Sequence, residues 1–337
     1  MSSIDITDVV SPRGAPQGSR TVLQRSMEFI TRHRVAAVIA LLVLLPWLVP
    51  YEALAVNILI FGLFAVGFNL LFGYTGLLSF GHAALFGSGS YGAGIAIVHF
   101  GWPWWLAIPA GVTLASLVGL VIGYLAIRSR GIYFSMVTLA LAQCVYFAFY
   151  KAGRYTGGED GLRGITVDVI NVFGWRLDFL HPTTKYFVLL VFVAAALWFI
   201  SRVLASPFGA VIEGIRENER RAAACGYDVA ATKLIAFVIS AAVCGLAGTL
   251  RALHLSTVPI ESLHYLTSGH VVMMSLLGGM GTFFGPFVGA AFVLLIEEFA
   301  TNFTKYWQLL VGLVFVVFVL FFPRGIWGSI LHWLGRR

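Results

Sequence analysis

Ser206–Lys233 reads SPFGAVIEGIRENERRAAACGYDVAATK, the single long charged stretch in the interior of the chain. An apolar run precedes it, Tyr186–Leu204 (YFVLLVFVAAALWFISRVL), and another follows, Leu234–Leu250 (LIAFVISAAVCGLAGTL). At about 1.5 Å of rise per helical residue, each can cross a hydrocarbon core of about 30 Å. A turn between two spans needs no charged, helix-favouring insertion. One that presents Arg216, Glu217, Glu219, Arg220 and Arg221, then the small residues Ala222–Ala224 and Gly226, is built to dock something in water. The pattern predicts a membrane protein with a partner on one side.

Composition agrees. Hydrophobic residues make up 59% of the 337 and charged residues 11%, against about 25% charged in a soluble domain. The net charge of +7 raises nucleic acid as a partner, but the basic residues sort by loop rather than gathering on one domain, so no nucleic-acid partner is expected. Cys144 and Cys244 fall in apolar runs and Cys225 in the charged loop, so no disulfide framework is implied. The histidines lack metal-ligand spacing, and no metal or cofactor is expected.

The chain is expected to be an all-α polytopic membrane protein of about ten transmembrane helices. The runs lie near 35–50, 53–71, 83–99, 104–127, 131–150, 185–204, 233–250, 268–282, 285–301 and 306–322. The eighth, SGHVVMMSLLGGMGT, is short and glycine-broken, as a re-entrant or discontinuous helix would be. Alternating the loops puts Arg13, Arg20, Arg25, Arg32, Arg34, Arg128, Arg130, Arg202, Arg216, Arg220, Arg221, Lys233, Arg324, Arg336 and Arg337 on one side. That is fifteen of the twenty-two Lys and Arg, so the positive-inside bias predicts cytoplasmic N- and C-termini and a cytoplasmic 206–233 loop. Residues 1–34 then form a polar cytoplasmic arm without a signal-peptide pattern. Residues 35–328 form the transmembrane domain, and 329–337 a basic cytoplasmic tail.

Glycine is concentrated in Asn69–Gly94 (NLLFGYTGLLSFGHAALFGSGSYGAG) and Leu277–Gly289 (LGGMGTFFGPFVG). Small residues in apolar segments let helix backbones approach closely, or let a helix break where it lines a cavity. The first segment also carries Asn69, Tyr74, Thr75, Ser79, His82, Ser88 and Ser90 at membrane depth, so these should face the bundle interior. With Gly81, Gly87 and Gln143, whose amide needs a partner inside the bundle, Asn69, Tyr74, Thr75, Ser79 and His82 are the candidate translocation-pathway residues. Glu297 and Glu298 close a run near its outer end and read as structural or interfacial groups.

Several of these strings are recognisable together. GYTGLLSFGHAALFGSGSYGA (73–93), RGIYFSMVTLALAQ (130–143), TGGEDGLRGI (156–165), SPFGAVIEGIRENERRAAACGYDV (206–229), LGGMGTFFGPFVGA (277–290) and FFPRGIWG (321–328) resemble, in order, the LivM-type permease of branched-chain amino-acid ABC importers. The resemblance runs from about residue 35 to 328. It implies a multi-pass protein of the cell inner membrane, working with two cytoplasmic ABC ATPase subunits, a LivH-type sister permease and a periplasmic substrate-binding protein. The pathway would lie between the two permeases and open alternately outward and inward. It also implies that the chain is not itself an enzyme. In agreement, none of the four lysines follows a glycine, so no phosphate-binding G-x-x-x-x-G-K-[ST] loop exists here.

In such importers a cytoplasmic E-A-A-x-x-x-G pattern docks on the ATPase. Here Ala222-x-x-x-Gly226 fits its second half, while Arg220 and Arg221 stand at its Glu and first Ala. Glu217, Asn218 and Glu219 are expected at the helix start or at the partner, and Ala222, Ala223 and Gly226 in the docking patch. The competing class is an ion-coupled secondary transporter or channel acting without ATPases. It needs carboxylates deep in the bundle, and the central runs contain none. An intramembrane enzyme needs a nucleophile motif, and Gly87-Ser88-Gly89-Ser90 lacks G-x-S-x-G spacing.

Overall fold

Peptide groups in hydrocarbon have no water to bond, so each apolar run closes its own backbone hydrogen bonds as a helix. The computed structural model describes residues 34–166, 170–172, 175–177, 182–303, 305–322 and 325–329; the polar arm up to residue 33 and the basic tail beyond Ser329 lie outside the described residues. The helices are α1 (Arg34–Leu48), α2 (Glu52–Asn69), α3 (His82–Val98), α4 (Trp104–Ala126), α5 (Ile132–Lys151) and α6 (Pro182–Ala205). After them come α7 (Pro207–Glu217), α8 (Glu219–Ala224), α9 (Val229–Leu255), α10 (Tyr265–Gly278), α11 (Gly285–Phe303) and α12 (Trp307–Phe321).

Seven segments are long and apolar enough to cross a membrane: α2 with its π-helical continuation Leu70–Tyr74, then α4, α5, α6, α9, α11 and the segment Trp307–Ser329 that begins with α12. The expected runs near 35–50, 83–99 and 268–282 form shorter helices of 15, 17 and 14 residues. The last of these stops at Gly279, whose φ of 113° continues no helix. The chain is thus a mostly helical, multi-pass membrane protein. Two short antiparallel ladders depart from an all-helical expectation. Leu162–Arg163 pairs with Thr257–Val258, and Ile170–Val172 with Trp175–Leu177. Both sit in connections outside the apolar helices, where backbone groups need partners that a helix does not supply.

The centre is built on small residues. A Cβ on Gly89 would overlap the Gly245 backbone, one on Gly111 would strike Thr249 Oγ1, and one on Gly248 would enter the Phe86 carbonyl. Helices α3, α4 and α9 therefore meet backbone to backbone. At that distance Ser90 Oγ donates to Gly248 O (2.7 Å) and Thr249 Oγ1 to Gly89 O (3.1 Å). Dispersion and such bonds hold helices together where no hydrophobic drive exists between helix and lipid. Helix α2 is almost wholly enclosed, whereas α5 and α12 keep most of their surface outside the packing.

Connections gather on two opposite faces. On one, Arg130 lies 4.0 Å from Glu219, Arg216 reaches Gly73, and the Gly281 amide donates to Asn69 Oδ1 (3.0 Å). On the other, Leu162 pairs with Val258, His99 Nε2 contacts Tyr155 O (2.9 Å), and Thr183 Oγ1 donates to Glu52 (2.7 Å). Tyr51, just before α2, belongs to this second face. A hydrogen bond with Glu298, then partial burial and the carboxylate's charge, push its phenol up to about 12. Glu298, in the last two turns of α11, is thus engaged with Tyr51.

Candidate functional site

The charged segment that decides the fold forms a hairpin of two short helices on the first face. Pro207 occupies the first turn of α7, where its missing N–H costs nothing. Gly209 lets α7 fold tightly under α6, since a Cβ there would overlap the Leu204 carbonyl. Ile212 and Ile215 bury one side of α7, while Glu213, Gly214, Arg216 and Glu217 stay exposed. Asn218 breaks the run in extended conformation and starts α8, its Oδ1 accepting from the Arg221 amide (3.0 Å). Helix α8 ends in a left-handed Gly226 (φ 88°). The Gly226 amide donates to Ala223 O (3.0 Å) and the Tyr227 amide to Ala222 O (3.3 Å), the double closure that a C-terminal glycine permits.

No residue of α8 is buried. Its tether is electrostatic: Glu219 contacts Lys233 Nζ at 2.9 Å, and Lys233 at the foot of α9 keeps only 10% of its side chain exposed. Glu219 is therefore engaged within the chain. Ala222 is half-buried, while Ala223, Ala224 and Gly226 are open, and no atom lies within 4 Å of a Cβ built on Gly226. A groove of ≈ 320 Å³ lies in the crook of the hairpin, lined in part by Ala210, Gly214, Asn218, Ala222 and Tyr227. A second, of ≈ 640 Å³, runs beside it past Arg128, Arg130, Arg220, Ala223 and Lys233. The hairpin presents small side chains between recesses rimmed by charge, a surface suited to a protein partner rather than to chemistry on a small molecule.

The polar residues of the glycine-rich segment are buried, as expected, and the structure gives most of them a local task, while the Ser88 hydroxyl is buried without a partner among the described residues. Asn69 ends α2 and clamps the break after α10, donating to Thr282 O (3.0 Å) and accepting from the Gly281 amide (3.0 Å). Tyr74 closes the π-helical turn and is 8% exposed. Thr75 Oγ1 donates to Leu70 O (3.1 Å), and Ser79 Oγ accepts from the Gly81 amide (3.1 Å). Gly81 precedes α3 and faces the Thr138 carbonyl. His82 Nε2 meets Ser240 Oγ (3.0 Å), whose own proton goes to Gly67 O (2.6 Å). That leaves Nε2 as the donor. Gly87 packs on Leu263, where a Cβ would overlap the side chain.

Gln143 departs from its expectation. It is half-exposed on α5 and makes no hydrogen bond among the described residues. It shares an open face with Met136, Ala140, Cys144 and Phe147, so its amide points away from this chain's interior. Residues with no sequence signal of their own also come together. Arg251 lies over the Phe61 ring (4.8 Å to its centre) and 3.5 Å from Asn57 Oδ1, which shelters a cation inside the bundle. The contacts of Arg216 and Lys233 become visible only once their neighbours are known.

Comparison with known proteins bears on most of the chain. A profile of the family described as branched-chain amino acid transport system / permease component matches residues 51–320. The high-affinity branched-chain amino acid transport system permease protein LivM of Escherichia coli (strain K12) is 28% identical over 316 residues, covering 87% of this chain and 74% of that protein. Its Salmonella typhimurium counterpart is 28% identical over 295 residues, 81% and 69% of the two chains. The probable permease protein LivH of Methanocaldococcus jannaschii is 24% identical over 285 residues, 79% and 88%. No solved structure matches.

Proposed function

Because the chain belongs to the family of branched-chain amino acid transport system permease components, we propose that it is the LivM-type permease subunit of an ATP-binding-cassette importer. It translocates branched-chain amino acids, or a related small polar or amphipathic solute, across the cell inner membrane by alternating access. The helix positions support ten crossings, the seven long helices plus α1, α3 and α10. With the α7–α8 face inward by its excess of Lys and Arg, both termini are cytoplasmic. The 1–34 arm and the 329–337 tail are then cytoplasmic extensions of the 35–328 permease domain.

The observation that carries this reading is the α7–α8 hairpin. It is charged and anchored by one buried side of α7, its α8 arm is exposed and stabilised at its ends rather than by burial, and it is lined with alanine and glycine where long side chains would block an incoming groove. Two ATPase subunits supply hydrolysis, one seated on this hairpin and one on that of a LivH-type sister permease. A periplasmic binding protein delivers the solute. The open face of α5 bearing Gln143 is the surface on which the sister permease completes the pathway, which accounts for an amide left unbonded in a span. Asn69, Tyr74, Thr75, Ser79, Gly81, His82 and Gly87 support that pathway from behind by fixing the breaks and the start of α3.

Replacing Ala223 with Arg tests the docking surface. The site is open, so the permease should insert and pair with its sister as before, while recovery of the ATPases with it falls several-fold. Undiminished recovery would place the ATPase elsewhere.

A further inference from the structure

Gly73, in the break after α2, lies 143 residues before Arg216 in the sequence and beside it in space, joined through one side chain. Arg216 is the penultimate residue of α7. Its Nη1 donates to the carbonyl oxygen of Gly73, in the π-helical turn that ends the α2 run. The three preceding carbonyls of that turn are answered locally. Leu70 O accepts from Thr75 Oγ1, Leu71 O from the Leu77 amide and Phe72 O from the Gly76 amide. Gly73 O is answered from outside, by a cation placed at the negative end of a helix.

The surroundings are shaped to that guanidinium. A Cβ on Gly281 would lie 3.0 Å from Arg216 Nη1, and one on Gly76 would lie 3.1 Å from Arg216 Cγ. A Cβ on Gly73 would lie 2.6 Å from the Gly281 amide nitrogen. Asn69 holds the same two segments together as well, bonding both Gly281 and Thr282. Arg216 makes no ion pair among the described residues. Its charge is directed to the helix end rather than to a carboxylate.

We propose that Arg216 is the positioning residue that ties the α7–α8 hairpin to the breaks after α2 and α10, so that the hairpin and both inner helix ends move as one unit. A push on the hairpin then shifts the ends of two helices from opposite halves of the chain together. The proposal rests on reading the hairpin as the ATPase-docking element, and it adds the route by which that docking reaches the membrane.

The test uses the complete importer in liposomes, with its binding protein and radiolabelled leucine, and reads leucine imported per ATP hydrolysed. A hydrogen bond from a charged donor shifts an equilibrium by roughly tenfold or more, so Arg216→Gln should lower that ratio at least about tenfold. Recovery of the ATPases should stay at the wild-type level. Arg216→Lys, which keeps the charge and one donor, should fall between. A second variant replaces the hydrogen bond with a covalent one. The Cβ atoms of a Gly76→Cys, Arg216→Cys pair would lie 3.6 Å apart, within the range of a disulfide. With Cys144 and Cys225 changed to Ser, the reduced pair should be uncoupled like Arg216→Gln, and oxidation should restore coupling.

A wild-type ratio in Arg216→Gln would overturn the link, as would an oxidised pair that stays uncoupled with the disulfide formed. Loss of ATPase recovery in Arg216→Gln would assign the residue to the docking surface instead. Failure of the wild-type permease to bind ATPases at all would overturn the docking reading and not the geometry of the link.

Discussion

Asn218→Ala tests whether the docking helix must be formed in advance. Helix α8 has six residues, none of them buried, so propensity alone cannot hold it. Three end contacts do. Removing a cap such as the Asn218–Arg221 bond costs about 1 kcal/mol. The left-handed Gly226 spares about 1–2 kcal/mol of backbone strain that a side chain would introduce. The Glu219–Lys233 pair adds no more than about 1 kcal/mol, because Glu219 keeps 38% of its side chain in water. Losing about 1 kcal/mol shifts a folding equilibrium about fivefold. If the partner binds only the formed helix, apparent affinity falls in proportion to the population lost, by up to about fivefold. The assay is a titration of purified ATPase subunit onto the permease pair in nanodiscs, at fixed salt. Asn218→Asp, which keeps the capping oxygen, should bind like wild type. Equal binding by Asn218→Ala would show that α8 does not need to be preformed. A loss beyond a hundredfold would mean that Asn218 touches the partner directly, and the capping argument would fail.

Two further outcomes follow from the packing and the topology. Gly87→Leu drives a side chain into Leu263, and overpacking of about 1–3 kcal/mol or more should abolish uptake while leaving the protein in the membrane; transport at the wild-type rate would show that α3 has room there, and Gly81→Leu makes the parallel test against Thr138. In a background without Cys144, Cys225 and Cys244, cysteines at Arg20 and Ser329 should resist an impermeant thiol reagent in intact cells, while one at Glu159 should react. Labelling of Arg20→Cys or Ser329→Cys from outside would reverse or break the ten-span topology.

The helices were legible because a membrane leaves an apolar run no other way to satisfy its backbone, so hydropathy locates them without knowledge of neighbours. Run and helix agree within a few residues at most positions, as with 104–127 and Trp104–Ala126. The hairpin was legible for the converse reason: Arg216–Arg221 is too charged to enter hydrocarbon. Legibility ended where an assignment depended on which helices touch. Asn69 reads as a pathway residue from its depth, yet it clamps a loop more than two hundred residues away, because α2 and α10 end on the same face. Gln143 reads as an interior amide, yet α5 is apolar all round and periodicity does not tell a face toward the core from a face toward a second subunit. The partners of Glu219 were equally hidden, since Lys233 and Arg130 become its neighbours only when α9 and the α4–α5 connection fold beside the hairpin.

The central claim is that this chain moves its solute only when ATPase subunits drive it. Liposomes carrying this permease and its sister, with binding protein and radiolabelled leucine supplied at the outward face, decide it in one comparison. The account predicts concentrative uptake when both ATPase subunits and ATP are present at the inward face, and none from a proton or sodium gradient in their absence. Uptake against a gradient driven by ions alone would contradict it.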